Sequence, residues 1–163
     1  MDRVQALLDS YAAATGPSAI EHRELALHSL ESLAAELDSL ADPLPAAYAQ
    51  RVLAELHLRA AEDSDPQRAC AMAERALEIY GRVGFHEQEV EALEVMARAH
   101  LLQADLHAAR AEATRGLHLA RRISDALYES FFLRALVRIA DRTGTGLERE
   151  RLLREWGKIA SDP

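Results

Sequence analysis

Apolar residues recur every three or four positions along most of the chain, which is the spacing of one face of an α-helix. In one segment Ala26, Leu30, Leu33, Leu37 and Leu40 are separated by four, three, four and three positions. Short segments with turn signals interrupt this pattern. We therefore predict eight helices, at about residues 2–15, 18–41, 46–61, 66–80, 87–103, 107–123, 125–141 and 147–160.

The composition favours the same all-helical interpretation. The 163 residues include 32 Ala and 25 Leu, but only 7 Gly, 5 Pro and 5% aromatic residues. Ala and Leu are strong helix formers, whereas a β-rich fold would need more β-branched and aromatic side chains. No apolar run is long enough to span a membrane, and the first residues lack the pattern of a signal peptide. We therefore expect a cytoplasmic protein.

The chain is similar to itself when it is shifted by 40 residues, which is the signature of a repeat architecture. Leu53 aligns with Leu93 and Leu133, and Leu56 aligns with Met96 and Leu136. Small residues align in the second helix of each pair: Ala69 with Ala109, Ala73 with Ala113, and Ala76 with Gly116. Helices approach closely only where side chains are short. We therefore predict that the small residues are the helix–helix contacts and that the large ones fill the layers between units.

The stretch Ala92-Leu93, Met96-Ala97, His100, Ala104-Asp105, Ala109, Ala113, Gly116-Leu117 resembles a tetratricopeptide repeat. It is similar to the longer, 40-residue form found in kinesin light chain and in large bacterial signalling regulators. The sequence departs from that family at Ala104, where Gly is commoner, and at His100, where an aromatic residue or Leu is commoner. The resemblance implies an α-solenoid of antiparallel helix pairs, stacked as a right-handed superhelix. It divides the chain into an irregular leading pair, 1–45, and an array, 46–163, of three units at 46–84, 85–124 and 125–163.

The resemblance also implies that the first helix of each pair lines a concave groove for a protein or peptide. Carried over residue by residue, the groove positions of the first unit are Arg51, Ala54, Glu55 and Leu58. Those of the second unit are Glu91, Glu94, Val95, Arg98, Leu101 and Leu102, and those of the third are Phe131, Arg134, Ala135, Arg138 and Arg142. Of these, we expect Leu58, Leu101, Leu102 and Phe131 to make apolar contacts with a partner.

Four of the groove residues are arginines that could bind a partner with acidic groups. Arg134, Arg138 and Arg142 lie at i, i+4 and i+8, and Arg98 aligns with Arg138. Guanidinium groups bind carboxylates through paired hydrogen bonds. The competing interpretation is a solvated face on which the arginines pair with Glu94, Glu129 or Asp141. The family's clamp for C-terminal carboxylates normally includes Asn, and this chain contains none, so that specificity is not implied.

The charge distribution and the motifs narrow the class of function. The net charge is −8, and an acidic chain without a basic domain is a poor candidate for nucleic-acid binding. The chain shows neither a phosphate-binding loop nor a nucleophile elbow, and we expect no enzymatic activity. The seven histidines include no i, i+4 pair, and Cys70 is the only cysteine, so we expect no metal and no cofactor. Without a neighbouring His or Lys in the sequence, Cys70 is interpreted as a packed residue.

These observations predict a non-catalytic protein- or peptide-binding scaffold, or the regulatory module of a bacterial signalling system. Two alternatives remain open. The leucine stripe Leu30, Leu33, Leu37 and Leu40, or exposed end helices around Phe131, Phe132 and Trp156, would suit a homo-oligomerisation module such as a homodimer. An enclosed pocket would instead indicate a sensor domain for a small molecule.

Overall fold

The computed structural model describes residues 2–13, 19–39, 41–59 and 64–160. This part of the chain is helical, with no strand in it, as the sequence predicts. The helices are α1 (Asp2–Ala13), α2 (Ala19–Leu37), α3 (Leu44–Arg59), α4 (Pro66–Val83), α5 (His86–Leu102), α6 (Leu106–Arg122), α7 (Ala126–Thr143) and α8 (Gly146–Ala160). Parts of the predicted helices, at 14–15, 18, 40 and 60–61, lie outside the described residues, and so does Leu40 of the leucine stripe.

The turns from α4 to α8 repeat one backbone conformation every 20 residues. Gly84, Ala104, Ser124 and Gly144 have φ of 75°, 58°, 58° and 71°, in the left-handed region. Such a residue ends a helix and reverses the chain direction. Glycine adopts this conformation without steric cost, whereas alanine and serine do not. The 40-residue sequence repeat therefore consists of two turns of the same geometry.

Aspartate side chains cap the N-termini of several of these helices. The carboxylate Oδ1 atoms of Asp65 and Asp105 each accept a hydrogen bond of 2.9 Å from the backbone N–H three residues later. Asp125 accepts bonds of 3.0 and 3.1 Å from the N–H groups of Leu127 and Tyr128. These bonds satisfy backbone donors that have no partner inside the helix. The aspartates therefore explain why the helices start where the sequence predicts, within one or two residues.

Two of the predicted helix ends are wrong by more than two residues: α2 ends at Leu37 rather than at residue 41, and α4 ends three residues later than predicted. The start of α3 is wrong by two residues. Helix α3 begins at Leu44 rather than Ala46, because Pro45 is tolerated in a first turn and Asp42 Oδ1 accepts a 3.0 Å hydrogen bond from Leu44 N–H. Helix α4 continues to Val83 rather than ending at Tyr80. Gly81 stays helical, and only Gly84 takes the left-handed conformation that ends α4.

Each helix packs against the next one along the chain, from α1 to α8. Helix α3 also contacts α5, and α5 also contacts α7. The first helices of the three predicted units are therefore neighbours, and each has its own second helix on one side. The 40-residue step in the sequence corresponds to one step from α3 to α5 to α7.

The predicted close contacts between helices are confirmed by burial. Side chains with no accessible surface include Ala69, Ala73, Ala76, Ala97, Ala109 and Ala113. Gly116 on α6 is packed most tightly, because a Cβ built there would overlap the Phe132 ring of α7. Leu93, Met96, Leu117 and Leu133 are buried between the helices, as predicted. Alanine thus sets the distance between helices, and the larger side chains fill the remaining space.

The leading pair has its own hydrophobic cluster. Leu30 and Leu33 of α2 are buried with Val4 of α1 and with Val52 and Leu53 of α3. Leu37 packs partly against this cluster. The described part of the leucine stripe is therefore covered within the chain.

Candidate functional site

The contacts from α3 to α5 to α7 bring equivalent positions of the three units together. Arg51, Glu91 and Phe131 are separated by 40 residues each and lie on α3, α5 and α7. The spacing of Arg51 and Glu55, and of Glu91, Glu94 and Arg98, places each set on one side of its helix. The α3–α5–α7 face is defined here by these residues with Tyr48, Leu102, Tyr128, Phe131, Arg134 and Arg138, which lie on the three first helices.

Arg51 is the centre of the charged network on this face. Its Nε lies 3.0 Å from Glu91 Oε2, and its Nη1 lies 3.8 Å from Glu55 Oε2. The guanidinium carbon is also 5.4 Å from the centre of the Tyr48 ring, a cation–π distance. Only 14% of the Arg51 side chain is exposed. Removal from water strengthens these contacts, so Arg51 joins α3 to α5 and is not available to a partner.

Glu94 and Arg98 form a second ion pair on the same face. Arg98 Nη1 donates to Glu94 Oε1 at 3.2 Å, one helical turn away on α5. Burial raises the pKa of Glu94, and the neighbouring Arg98 opposes that shift. Glu55 also raises the pKa of Glu94, so the two carboxylates are close enough to repel each other. Glu55 pairs with Arg59 as well as with Arg51, so each of the three carboxylates has a guanidinium partner.

Two tyrosines near these carboxylates have raised pKa values. Burial raises the pKa of Tyr128 to about 12, with further contributions from Glu91 and Glu94. Burial likewise raises the pKa of Tyr80 to about 12, and Arg51 opposes that shift. The Tyr80 side chain is 2% exposed, and its hydroxyl lies within hydrogen-bonding range of Arg51. The phenolate forms of both tyrosines are disfavoured chiefly because the side chains are buried.

The apolar residues predicted to contact a partner differ in exposure. Leu58 is only 8% exposed and belongs to the hydrophobic core, so it supports the face from below. Leu101 and Phe131 are half-buried and pack against that core. The Phe131 ring meets Phe132 edge-on, with 5.2 Å between ring centres. Leu102 is 58% exposed at the end of α5. Leu101, Leu102 and Phe131 therefore retain surface that a partner can reach, whereas Leu58 does not.

The four predicted arginines fall into two groups. Arg98 is paired with Glu94, as the competing interpretation of the sequence expects. Arg142 Nη1 donates to the carbonyl of Leu101 at 3.4 Å. Arg134 and Arg138 are exposed on α7, and neither forms an ion pair within the ranges that the structure describes. Glu129 and Asp141 pair with Arg121 and Arg149 instead. Among the four predicted arginines, Arg134 and Arg138 are therefore the two that have neither an ion pair nor a hydrogen bond with the described residues.

Two histidine contacts were not predicted, because their partners are distant in the sequence. Cys70 Sγ on α4 lies 3.3 Å from His100 Nε2 on α5. This histidine does not activate the thiol, since burial raises the pKa of Cys70, and Glu74 and Glu112 raise it further. A reactive thiolate is therefore disfavoured, in agreement with the interpretation of Cys70 as a packed residue.

The second such histidine is His57, which lies at the junction of three helices. It is buried on α3, and its Nε2 is 3.5 Å from Glu31 Oε1 of α2. Arg68 of α4 holds the same carboxylate at 2.8 Å. Burial lowers the pKa of His57, Arg68 lowers it further, and Glu31 opposes both. The neutral imidazole is therefore the form that suits the fold.

Within the described ranges, no group of three or more His, Cys, Asp or Glu side chains is arranged to hold a metal ion. No described helix has both the length and the apolar character needed to cross a membrane. No protein-family model, curated protein or solved structure matches the chain. The function therefore has to be inferred from the surface itself.

Proposed function

We propose that this chain is a non-catalytic module of the tetratricopeptide-repeat type that binds a protein or peptide segment on its α3–α5–α7 face. The observation that carries the proposal is the direct contact of α3 with α5 and of α5 with α7. Three first helices that contact each other in the order α3, α5, α7 offer one continuous surface, and in the proposed arrangement α4, α6 and α8 lie behind them. A right-handed superhelical arrangement of the pairs is part of this proposal, and the turns repeated every 20 residues support it.

The chemistry of the face suits recognition. It combines exposed Leu102, the half-buried aromatic ring of Phe131, and the unpaired guanidinium groups of Arg134 and Arg138. Aromatic residues and arginines contribute most of the binding energy in protein interfaces. Ion pairs already made inside the face, such as Arg51 with Glu91, keep its remaining side chains in place. A regulatory role in a bacterial cytoplasm follows from the repeat resemblance and belongs to the same proposal.

The experiment starts with selection of a random-peptide display library on the immobilised protein. Affinities of the enriched peptides are then measured by fluorescence anisotropy for the wild type and for the variant Arg134→Glu/Arg138→Glu. We expect the variant to lose at least about tenfold in affinity, because two charges that face the partner are reversed. Arg115→Glu is the matched control, since Arg115 is an exposed arginine of α6, behind the face.

Three outcomes would contradict the proposal. One is that no peptide is enriched above a blank surface. Another is that Arg134→Glu/Arg138→Glu binds as tightly as the wild type. The third is that Arg115→Glu causes an equal loss, since binding would then follow the net charge of the protein and not the face. Circular dichroism and thermal unfolding of each variant establish that the fold is retained.

A further inference from the structure

One side of α7 is a straight stripe that is apolar at one end and basic at the other. Leu127, Phe131, Arg134 and Arg138 lie at i, i+4, i+7 and i+11, so they project from the same side of the helix. Leu127 is 75% exposed, Phe131 is half-buried, and both arginines are exposed. These four residues are called the α7 stripe below, and most of their surface is open to solvent.

The burial of the equivalent positions on α3 and α5 depends on how many first helices follow. On α3, which is followed by α5 and α7, Ala54 is 0% and Leu58 is 8% exposed, and both belong to the core that includes α5. On α5, which is followed by α7, the side chains of Glu94 and Arg98 are 23% and 33% exposed. On α7, which no described first helix follows, the two equivalent arginines are exposed. These positions are therefore covered by the next first helix wherever there is one.

The charges on the α7 stripe are not compensated by the described part of the chain. The three carboxylates of the α3–α5–α7 face each have a guanidinium partner. The two carboxylates of α7 itself pair with Arg121 and Arg149. Arg134 and Arg138 thus present two positive charges on a chain whose net charge is −8. A partner that covers them has to supply acidic groups, because removing an unpaired charge from water is costly.

From these observations we infer that an amphipathic helix of a partner protein packs along the α7 stripe, in the way that α7 packs along α5. The contact side of that helix carries large apolar residues opposite Leu127 and Phe131. It also carries two acidic residues, one helical turn apart, opposite Arg134 and Arg138. This inference rests on the proposed function, because it names the conformation and the chemistry of the segment that the α3–α5–α7 face would bind.

The packing between the first helices inside the chain is the model for this contact. Helix α3 contacts α5, and α5 contacts α7. Arg51 of α3 bridges to Glu91 of α5, with 3.0 Å between Nε and Oε2, so oppositely charged side chains already join neighbouring first helices. A helix rises about 1.5 Å per residue, which places Arg134 and Arg138 about 6 Å apart along α7. A second helix alongside repeats that spacing, so its own residues at i, i+4, i+7 and i+11 can meet the stripe in turn.

The test uses the full chain and a designed alanine-rich peptide of about 18 residues, long enough to form a helix in water. The peptide carries Leu, Phe, Glu and Glu at i, i+4, i+7 and i+11. A matched peptide has proline in place of a central alanine on the opposite side, which breaks the helix but keeps the four contact residues. Fluorescence anisotropy should show that the helical peptide binds and that the proline peptide binds at least about tenfold more weakly.

Variants at exposed positions, where substitution leaves the core intact, locate the contact on the protein. Arg134→Glu/Arg138→Glu should bind the peptide at least about tenfold more weakly than the wild type does. A peptide with arginine in place of both glutamates should bind this variant more tightly than it binds the wild type. Leu127→Ala should weaken binding about three- to tenfold, because it removes an apolar contact. Leu147→Ala is the matched control: Leu147 of α8 is 86% exposed and lies outside the stripe, so binding should stay within about twofold of the wild type.

The inference is overturned if the helical peptide does not bind, if the proline peptide binds equally well, if the arginine peptide does not recover binding to the double variant, or if Leu127→Ala and Leu147→Ala act equally. The peptides from the display selection then decide the proposed function separately, because peptides that need Arg134 and Arg138 but tolerate proline support a bound segment that is not helical. If neither designed nor displayed peptides bind, the proposed function and the inference fail together. Sedimentation velocity tests a second copy as the occupant: self-association that Arg134→Glu/Arg138→Glu abolishes would overturn the assignment to a partner protein.

Discussion

The contact between Gly116 and Phe132 makes the strongest prediction about the packing of α6 against α7. A Cβ at position 116 would overlap three atoms of the Phe132 ring, and even the farthest of them, Cε2, would be only 2.6 Å away. Carbon atoms in contact are normally about 3.5–4.0 Å apart. Phe132 has no accessible surface and packs in the main core, so its ring has no open space to move into.

Two opposing effects set the magnitude for Gly116→Ala. Alanine is favoured over glycine inside a helix by about 1 kcal/mol. Overpacking of a well-packed core costs about 1–3 kcal/mol, and the depth of this overlap places Gly116→Ala at the upper end. We therefore expect Gly116→Ala to lower the free energy of unfolding by about 2 kcal/mol, which corresponds to a fall in Tm of about 4–8 °C for a chain of this size.

Denaturant unfolding followed by circular dichroism measures this loss, and a double-mutant cycle assigns its cause. Phe132→Leu removes the three overlapping ring atoms and leaves a cavity, so by itself it should destabilise by about 1–2 kcal/mol. In the double variant Gly116→Ala/Phe132→Leu the new methyl group fills part of that space. Its loss should therefore be at least about 1 kcal/mol smaller than the sum of the single losses.

The control is Gly157→Ala on α8, where no atom lies within 4 Å of a new Cβ. This variant should be as stable as the wild type or slightly more stable, because only the helix preference changes. Additive losses in the cycle would refute the reasoning, since the Phe132 ring would then not be what excludes a side chain at Gly116. A stabilised Gly116→Ala would refute it as well.

Three further predictions concern the turns and the buried ionisable groups. Ala104→Gly and Ser124→Gly relieve the strain of a left-handed backbone, and each should raise the free energy of unfolding by about 0.5–1 kcal/mol. The control Ala111→Gly, in the exposed middle of α6, should lower the free energy of unfolding by about 1 kcal/mol. A loss of stability at the two turn positions, measured by chemical denaturation, would contradict the turn geometry. Burial lowers the pKa of His57 below its unfolded value of about 6.5, so the unfolded state binds the proton more readily, and stability should fall as the pH drops below about 6.5. The free energy of unfolding of His57→Gln should fall less between pH 7 and 5 than that of the wild type. If the two proteins lose stability in parallel over this pH range, His57 is not the cause. Because burial raises the pKa of Cys70, the thiol should react with a disulfide reagent more slowly at pH 8 than a free thiol such as glutathione does, and an equal or faster rate would show that His100 activates it.

The helices and their close contacts could be predicted because they depend on local and periodic features of the sequence. Leu53, Leu93 and Leu133 recur at the repeat distance and are buried, as are the alanines that set the helix spacing. Helix starts follow from Asp105 and Asp125, which bond to backbone groups within three residues. These features need no knowledge of which helices become neighbours.

The ion pair between Arg51 and Glu91 depends on a tertiary contact, and the sequence alone did not specify it. Arg51 and Glu91 are 40 residues apart, and each has closer alternative partners in sequence, such as Glu55 for Arg51. A usable signal was nevertheless present, because the two residues occupy the same position of successive repeats with opposite charge. Opposite charges at one repeat position predict a bridge between neighbouring first helices. The rule also predicts a bridge between Glu94 and Arg134, which the structure does not form, because Glu94 pairs with Arg98 on its own helix.

The exposure of Arg134 and Arg138 follows from their place in the repeat. The equivalent residues of α3, Ala54 and Leu58, are buried in the core that α3 shares with α5. The equivalent residues of α5, Glu94 and Arg98, are half-buried. At these two repeat positions the side chains are apolar in α3, form an ion pair with each other in α5, and are unpaired arginines in α7. Their burial decreases in the same order. Charge without a partner is therefore placed only where water or a bound segment can solvate it, which is where the proposed interaction needs it.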